Sequence, residues 1–106
     1  MKDKSNEIIN VVCSYFGITG EQIRANTRKG YIVLARQMAM YLIYENCRLM
    51  THENIGDIFY RDRGCVYHAI NKINDLKKVD KEMKEAYSEL NYKINYKINY
   101  KDAKTA

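Results

Sequence analysis

The sequence predicts an all-α domain, a compact bundle of five to six helices with a helix-turn-helix. Proline is absent from the 106 residues and glycine occurs only five times, whereas an all-β fold needs many more turn residues. Apolar residues recur three and four positions apart in several segments, which is the pattern of amphipathic helices. The length is that of one domain with one modest core. No apolar run reaches the roughly 18 residues of a membrane span and no secretory signal is recognisable, so we expect a cytoplasmic protein.

The first predicted helix covers residues 7–16, where the apolar side chains form one stripe. Ser5 or Asn6 is expected to cap its start, and the glycines that follow are expected to end it. The next segment, residues 21–30, is short, polar and basic and ends in glycine, so we interpret it as a loop. Its basic residues are Arg24, Arg28 and Lys29.

Residues 31–44 form the most apolar stretch and are interrupted only by Arg36 and Gln37. The stretch is too long for a typical strand, and its middle is rich in good helix formers. A helix that is apolar nearly all round is expected at the centre of the core. Arg36 and Gln37 are then its predicted window to solvent or to a ligand.

Two further helices are predicted on either side of a tight joint at Tyr60-Arg61. Thr51 is placed to cap the first, and Asp62 is placed to cap the second. The second helix has apolar residues at positions 66, 69, 70 and 73, so its opposite face is polar and basic. That face carries Arg63, Tyr67, His68, Asn71 and Lys72.

A last helix is predicted from about Asp80, and it grades into an Asn-Tyr-Lys-Ile repeat over residues 91–100. A four-residue period drifts about 40° per repeat around a helix, so no long straight seam is specified. We therefore expect a domain over residues 1–98 and a flexible tail over residues 99–106. The repeat is interpreted as an overlong helix end, and a dimer-forming role is the alternative.

The positive charge is concentrated in two segments. The chain has a net charge of +5, and residues 22–44 hold four basic residues and no acid. Residues 61–78 hold five basic residues against two acids, a net +3. Such stretches are often only solvated faces. Two helices joined by a short turn, with a basic outer face on the second, fit a DNA-binding helix-turn-helix.

Four stretches of the sequence resemble one known family. They read A-R-Q-M-A-M-Y-L at residues 35–42, I-G-D-I-F at 55–59, R-D at 61–62 and V-Y-H-A at 66–69. Their order and spacing are similar to those of the C-terminal DNA-binding domain of the bacterial chromosomal replication initiator DnaA, over about residues 8–90. The resemblance implies a Trp-repressor-like helix-turn-helix that places its second helix in the major groove of double-stranded DNA.

The resemblance implies roles for residues of the basic loop and the central helix. Arg28 matches the loop arginine that enters the minor groove, and Lys29 belongs to the same loop. Arg36 and Gln37 match the pair that contacts the DNA backbone near the start of the long helix.

It also implies roles for residues of the helix-turn-helix. Thr51 and His52 match the start of the first helix, which touches phosphates. Asp62 matches the acidic residue that opens the recognition helix, and His68 and Lys72 match exposed positions further along it. The predicted DNA-binding residues are Arg24, Arg28, Lys29, Arg36, Gln37, Thr51, His52, Arg61, Asp62, Arg63, Gly64, Cys65, Tyr67, His68 and Lys72.

The sequence departs from the family at the start of the recognition helix. The family reads R-D-H-T-T-V where residues 61–66 read R-D-R-G-C-V, so Arg63, Gly64 and Cys65 replace the base-reading residues. An arginine favours bidentate bonding to guanine O6 and N7. Gly64 removes a side chain and weakens the helix by about 1 kcal/mol. These changes imply DNA binding that does not read the initiator's usual box: the domain is expected either to prefer another site or to bind mainly through phosphate contacts.

Several other functions are not expected. No G-x-x-x-x-G-K-[ST] motif is present, so we expect no nucleotide, no cofactor and no small-molecule substrate. Asp62, His68 and Asp75 share one segment without a nucleophile, a metal-ligand set or a phosphate loop, so we expect no enzyme. The three cysteines lie far apart without a C-x-x-C pair, which fits a reducing compartment and no metal site.

The sequence therefore predicts a freestanding, nucleoid-associated DNA reader in replication control, in origin binding or in transcription regulation. We expect a monomer or weak homodimer, with a contact to replication proteins as a further expectation. The alternative is a protein-interaction module or decoy on the same fold that no longer reads DNA.

Overall fold

The computed structural model describes residues 3–105, and the side chains of residues 4–96. The helices are α1 Asp3–Phe16, α2 Gly20–Arg24, α3 Gly30–Asn46, α4 His52–Ile58, α5 Arg63–Val79 and α6 Lys81–Thr105. Within residues 3–105 there are six helices and no strand, which confirms the all-α prediction. α3 contacts α1, α2, α4 and α5, while α6 packs across α1 and α5.

The beginning of the chain differs from the prediction in two places. α1 already begins at Asp3, so Ser5 and Asn6 both lie inside the helix and neither is its N-cap residue. The predicted loop over residues 21–30 is wrong at its start, because α2 forms there. Thr19 accepts a hydrogen bond from the Gln22 amide while the Gln22 side chain accepts one from the Thr19 amide, and Ile23 is fully buried. This capping box and its apolar anchor stabilise even a five-residue helix.

α3 is the centre of the core, as predicted, because nine of its 17 residues are buried. The predicted solvent window on this helix is wrong for Arg36, whose side chain is only 5% exposed. Gln37 is half-buried, and its Oε1 atom is buried without a hydrogen-bond partner among the residues that the structure describes. Arg36 therefore faces the interior of the protein, whereas part of the Gln37 side chain remains accessible to solvent.

The predicted caps of α4 and α5 are confirmed. The Thr51 hydroxyl accepts a hydrogen bond from the Asn54 amide at 3.0 Å. The Asp62 carboxylate accepts one from the Cys65 amide at 2.8 Å. Each side chain satisfies a backbone donor that has no partner within its helix, and so fixes where that helix begins.

α6 begins at Lys81, close to the predicted start. Its Met83, Ala86, Leu90 and Ile94 side chains are buried, at the spacing that faces α1 and α5. The backbone is helical to Thr105, but side chains beyond residue 96 lie outside the described residues, and the flexible tail over residues 99–106 stays a prediction. None of the described helices is long and apolar enough to cross a membrane.

Candidate nucleic-acid interface

The joint between α4 and α5 is a tight backbone turn. The Gly56 carbonyl accepts hydrogen bonds from the Phe59 and Arg61 amides, both at 2.9 Å. A Cβ atom on Gly56 would overlap the Arg61 carbonyl oxygen, so only glycine permits this approach. Tyr60 adopts a left-handed conformation with φ of 59° to reverse the chain. The turn therefore fixes the angle at which α5 leaves α4.

α5 presents the predicted two faces. Val66, Ala69 and Ile73 are buried against the core, because they lie three and four residues apart. The α5 residues that are predicted to face DNA are all exposed: Arg63, Gly64, Cys65, Tyr67, His68 and Lys72. The helix is anchored by its apolar stripe, and the other face of its N-terminal half is open to a ligand.

Four of the predicted site residues are exposed cations, and we call Arg28, Lys29, Arg63 and Lys72 the outer cations. Arg28 and Lys29 lie in the loop that precedes α3, and the other two lie on α5. Within residues 4–96, none of their side chains forms a hydrogen bond or an ion pair. Their charges are therefore free to bind an external anion.

Three other predicted site residues point inward, and we call Arg24, Arg36 and Arg61 the inner arginines. Arg24 Nε donates to the Ile58 carbonyl at 2.9 Å and its Nη1 atom donates to the Gly20 carbonyl at 3.1 Å. These bonds hold α2 against the end of α4. Arg24 therefore joins two elements of the protein and does not extend towards a ligand.

Arg36 and Arg61 converge on one carbonyl group. Arg36 Nε donates to the Ile23 carbonyl at 2.7 Å, and its Nη2 atom donates to the Ala25 carbonyl at 2.8 Å. Arg61 Nη2 donates to the same Ala25 carbonyl at 3.0 Å, while its Nη1 atom donates to the Phe59 carbonyl at 2.7 Å. The basic loop is residues 25–29, between α2 and α3. Its first residue, Ala25, is therefore bonded both to α3 and to the helix-turn-helix joint.

The surroundings of Arg36 show how closely these elements approach. Burial lowers the pKa of the Arg36 guanidinium, and the positive charge of Arg61 lowers it further, whereas Cys65 opposes the shift. Because Arg61 belongs to the joint and Cys65 to the first turn of α5, the buried guanidinium interacts electrostatically with both elements. No ion pair to a carboxylate forms at Arg36 or Arg61 in the described part of the chain. The hydrogen bonds of these two guanidinium groups go to backbone carbonyl groups, among them those of Ala25 and Phe59.

An aromatic cluster lies beside the recognition helix. The ring centroids of His52 and Tyr44 are 5.4 Å apart, and those of His52 and Tyr67 are 6.1 Å apart. These contacts hold the start of α4 between the end of α3 and the outer face of α5. Tyr67 packs on one face and is still 61% exposed, so it both packs and remains open to a ligand.

The sequence does not identify the inward role of the three arginines. Their acceptors are carbonyl groups, which no residue type reveals, and two of the bonds join residues 34 and 36 positions apart. One signal is nevertheless present for Arg36: an arginine inside a helix that is otherwise apolar all round must find buried acceptors. The contacts of His52 with Tyr44 and Tyr67 likewise depend on tertiary packing.

The described residues contain no group of three or more side chains of the kind that could hold a metal ion. Cys13, Cys47 and Cys65 are free thiols, and burial raises the pKa of the first two. The features that these residues offer to a ligand are therefore cations, hydroxyls and aromatic rings on one helix-turn-helix and its adjacent loop.

The comparisons with known proteins agree with this geometry. Residues 5–73 match a family model described as the bacterial dnaA protein helix-turn-helix. The chromosomal replication initiator protein DnaA of Thermus thermophilus is 41% identical over 78 residues, which are 73% of this chain and 18% of that protein. The DnaA protein of Deinococcus radiodurans is 34% identical over 85 residues, 77% of this chain and 17% of that protein. The chain thus spans less than a fifth of the length of these relatives.

Proposed function

Because the chain belongs to the bacterial DnaA helix-turn-helix family, we propose that it binds double-stranded DNA through α5 and the basic loop. α5 enters the major groove and the loop over residues 25–29 reaches the minor groove. The observation that carries the proposal is the set of outer cations. All four are exposed and unpaired among the described residues. The Ala25 carbonyl, at the start of the loop, accepts a hydrogen bond from Arg61, which lies two residues before α5 begins.

The outer cations supply most of the affinity. A lysine or arginine that neutralises a phosphate releases condensed counterions, which makes binding strongly dependent on salt. Thr51 and His52 at the start of α4 and Gln37 on α3 are proposed phosphate contacts beside them. Asp62 caps the recognition helix and thereby positions the residues that follow it.

The sequence preference is set by the first turn of α5. Arg63 is exposed there and has the donors to bind guanine at O6 and N7. Gly64 and Cys65 are exposed and small, so they leave the groove floor open to Arg63, with Tyr67 and His68 on the next turn. The family carries different readers at these positions, so the preferred site of this protein differs from the initiator's usual box.

In the cell, this activity places the protein on the nucleoid, in the cytoplasm, where it acts in replication control or transcription regulation as a binding protein and not as an enzyme. A monomer or weak homodimer satisfies this role, because one helix-turn-helix reads one site. Replication proteins are its proposed protein partners.

The experiment is selection of bound duplexes from a random pool, followed by a salt titration on the selected site. With about four to six phosphates neutralised, the logarithm of the binding constant falls against the logarithm of salt concentration with a slope of roughly −4 to −5. A control duplex with a scrambled site keeps most of the slope and loses affinity. If no duplex binds at about 50 mM salt, where phosphate contacts are strong, the DNA proposal fails and a protein-interaction module on this fold is favoured.

A further inference from the structure

The Ala25 carbonyl is an unusually crowded acceptor. It receives hydrogen bonds from Arg36 Nη2 at 2.8 Å, from Arg61 Nη2 at 3.0 Å and from the Thr27 amide at 3.0 Å. A carbonyl oxygen has two lone pairs, so three donors exceed its ordinary capacity. The three donors come from the central helix, from the helix-turn-helix joint and from the loop itself.

The basic loop has little else to hold it. Between α2 and α3 its residues are exposed, apart from a half-buried Thr27, whose hydroxyl accepts a hydrogen bond from the Lys29 amide at 3.2 Å. An exposed five-residue segment without apolar anchors is expected to sample many conformations. The arginine bonds at Ala25 are the contacts by which the folded core restrains it.

The Arg61 guanidinium connects the helix-turn-helix joint to the basic loop. Its guanidinium spans the Phe59 carbonyl, within its own turn, and the Ala25 carbonyl, 36 positions away. The planar fork of a guanidinium holds two acceptors at a fixed angle, which a single ammonium group does not. Because Asp62 and Arg63 follow directly, the same residue sets the position of the loop relative to the first turn of α5.

We propose that Arg61, supported by Arg36, is a positioning residue that locks the basic loop to the helix-turn-helix joint, so that loop and recognition helix engage the two grooves as one rigid unit. This inference rests on the proposed function. It assigns Arg61 a role within the protein, where the sequence alone predicts a direct contact with DNA. The loop then loses little conformational entropy on binding, which is the advantage of preorganisation.

The test is a double-mutant cycle on the selected duplex with Arg61→Lys and Arg28→Ala. Arg61→Lys keeps the charge and removes the fork. Arg28→Ala is expected to weaken the otherwise wild-type protein about tenfold, but less than about threefold in the Arg61→Lys background, because the loop no longer holds Arg28 at the groove. Lys72→Ala, on α5, is the matched control and has the same effect in both backgrounds.

The salt dependence separates positioning from direct contact. If the loop is released, its phosphate contacts are lost, and the slope becomes shallower by about one although no charge is removed. If Arg61 itself contacts a phosphate, lysine replaces it and the slope is unchanged. An unchanged slope together with an Arg28→Ala effect that is equal in both backgrounds overturns the proposal.

A second measurement uses the free protein and needs no DNA. In Arg61→Lys the Thr27 and Lys29 amides exchange with solvent at least about tenfold faster than in wild type, while amides of α6 near Leu90 keep their rates. Unchanged exchange in the loop overturns the positioning role whatever the DNA data show. Failure of the wild type to bind any duplex instead refutes the proposed function, so the two failures are distinguishable.

Discussion

Arg36 and Arg63 carry the same guanidinium group in opposite surroundings. Arg36 is 5% exposed and donates to two carbonyls, whereas Arg63 is exposed at the start of α5 without a partner in residues 4–96. The same contrast holds between the three inner arginines, which donate to backbone carbonyls, and the four outer cations, which are exposed and unpaired among the described residues. Charge alone therefore does not identify a DNA contact, and the availability of nearby carbonyl groups decides which role an arginine takes.

The two groups also cooperate electrostatically. A carboxylate beside Arg36 or Arg61 would cancel part of the field, but among the described residues no ion pair forms there. Carbonyl dipoles solvate a charge without removing it, so the inner arginines still add to the positive potential over the loop and α5. The outer cations then make the contacts that this potential favours.

The largest effect is expected for the buried group. Arg36→Ala removes the donors to Ile23 and Ala25 and leaves a cavity, so we expect a loss of about 2–4 kcal/mol in the free energy of unfolding. Lys72→Ala, an exposed cation, should change it by less than about 0.5 kcal/mol. Urea unfolding of the two variants measures both values, and equal stability would erase the distinction between the groups.

The next effect is on sequence preference. Arg63→Ala should cost about 1–3 kcal/mol of binding free energy at one base position and relax the preference for guanine there. Its free energy of unfolding should stay within about 0.5 kcal/mol of the wild-type value, because the exposed Arg63 side chain forms no hydrogen bond or ion pair within the described residues. Binding measured on the selected site and on its single-base variants tests this, and an equal loss on every duplex would refute the base-reading role.

A smaller and less selective effect is expected in the loop. Arg28→Ala should lower affinity by about 1.4 kcal/mol, tenfold, on all duplexes alike and reduce the salt slope by about one. Lys84→Ala, an exposed cation on α6, is the matched control and should leave both quantities unchanged. A loss that depends on the base sequence would assign Arg28 to direct readout instead.

The contrast also explains how far the sequence predicts this molecule. The caps Thr51 and Asp62 and the buried stripe of α5 depend on residues three or four positions apart, so a local pattern reveals them. α2 is too short to show a helical period of apolar residues, and its one signal in the sequence is the Thr19–Gln22 capping box. The inner arginines are invisible at this level, because their partners are backbone atoms brought close by the tertiary fold.

The smallest predicted effect concerns Gly64, in the first turn of α5. Among the described residues, a Cβ atom on Gly64 would meet only the Asp62 Oδ1 atom, at an ordinary 3.4 Å, so Gly64→Ala should raise the free energy of unfolding by about 0.5–1 kcal/mol. Gly30→Ala is the control, since Gly30 likewise lies in the first turn of a helix and a Cβ atom there would meet no described residue within 4 Å. Thermal unfolding should show a similar small gain in both.

Only Gly64→Ala should change which bases are tolerated beside the Arg63 contact, because only that methyl group lies on the outer face of α5. If Gly64→Ala is stabilising and leaves the selected site unchanged, the glycine has no part in readout, and the altered preference rests on Arg63 and Cys65.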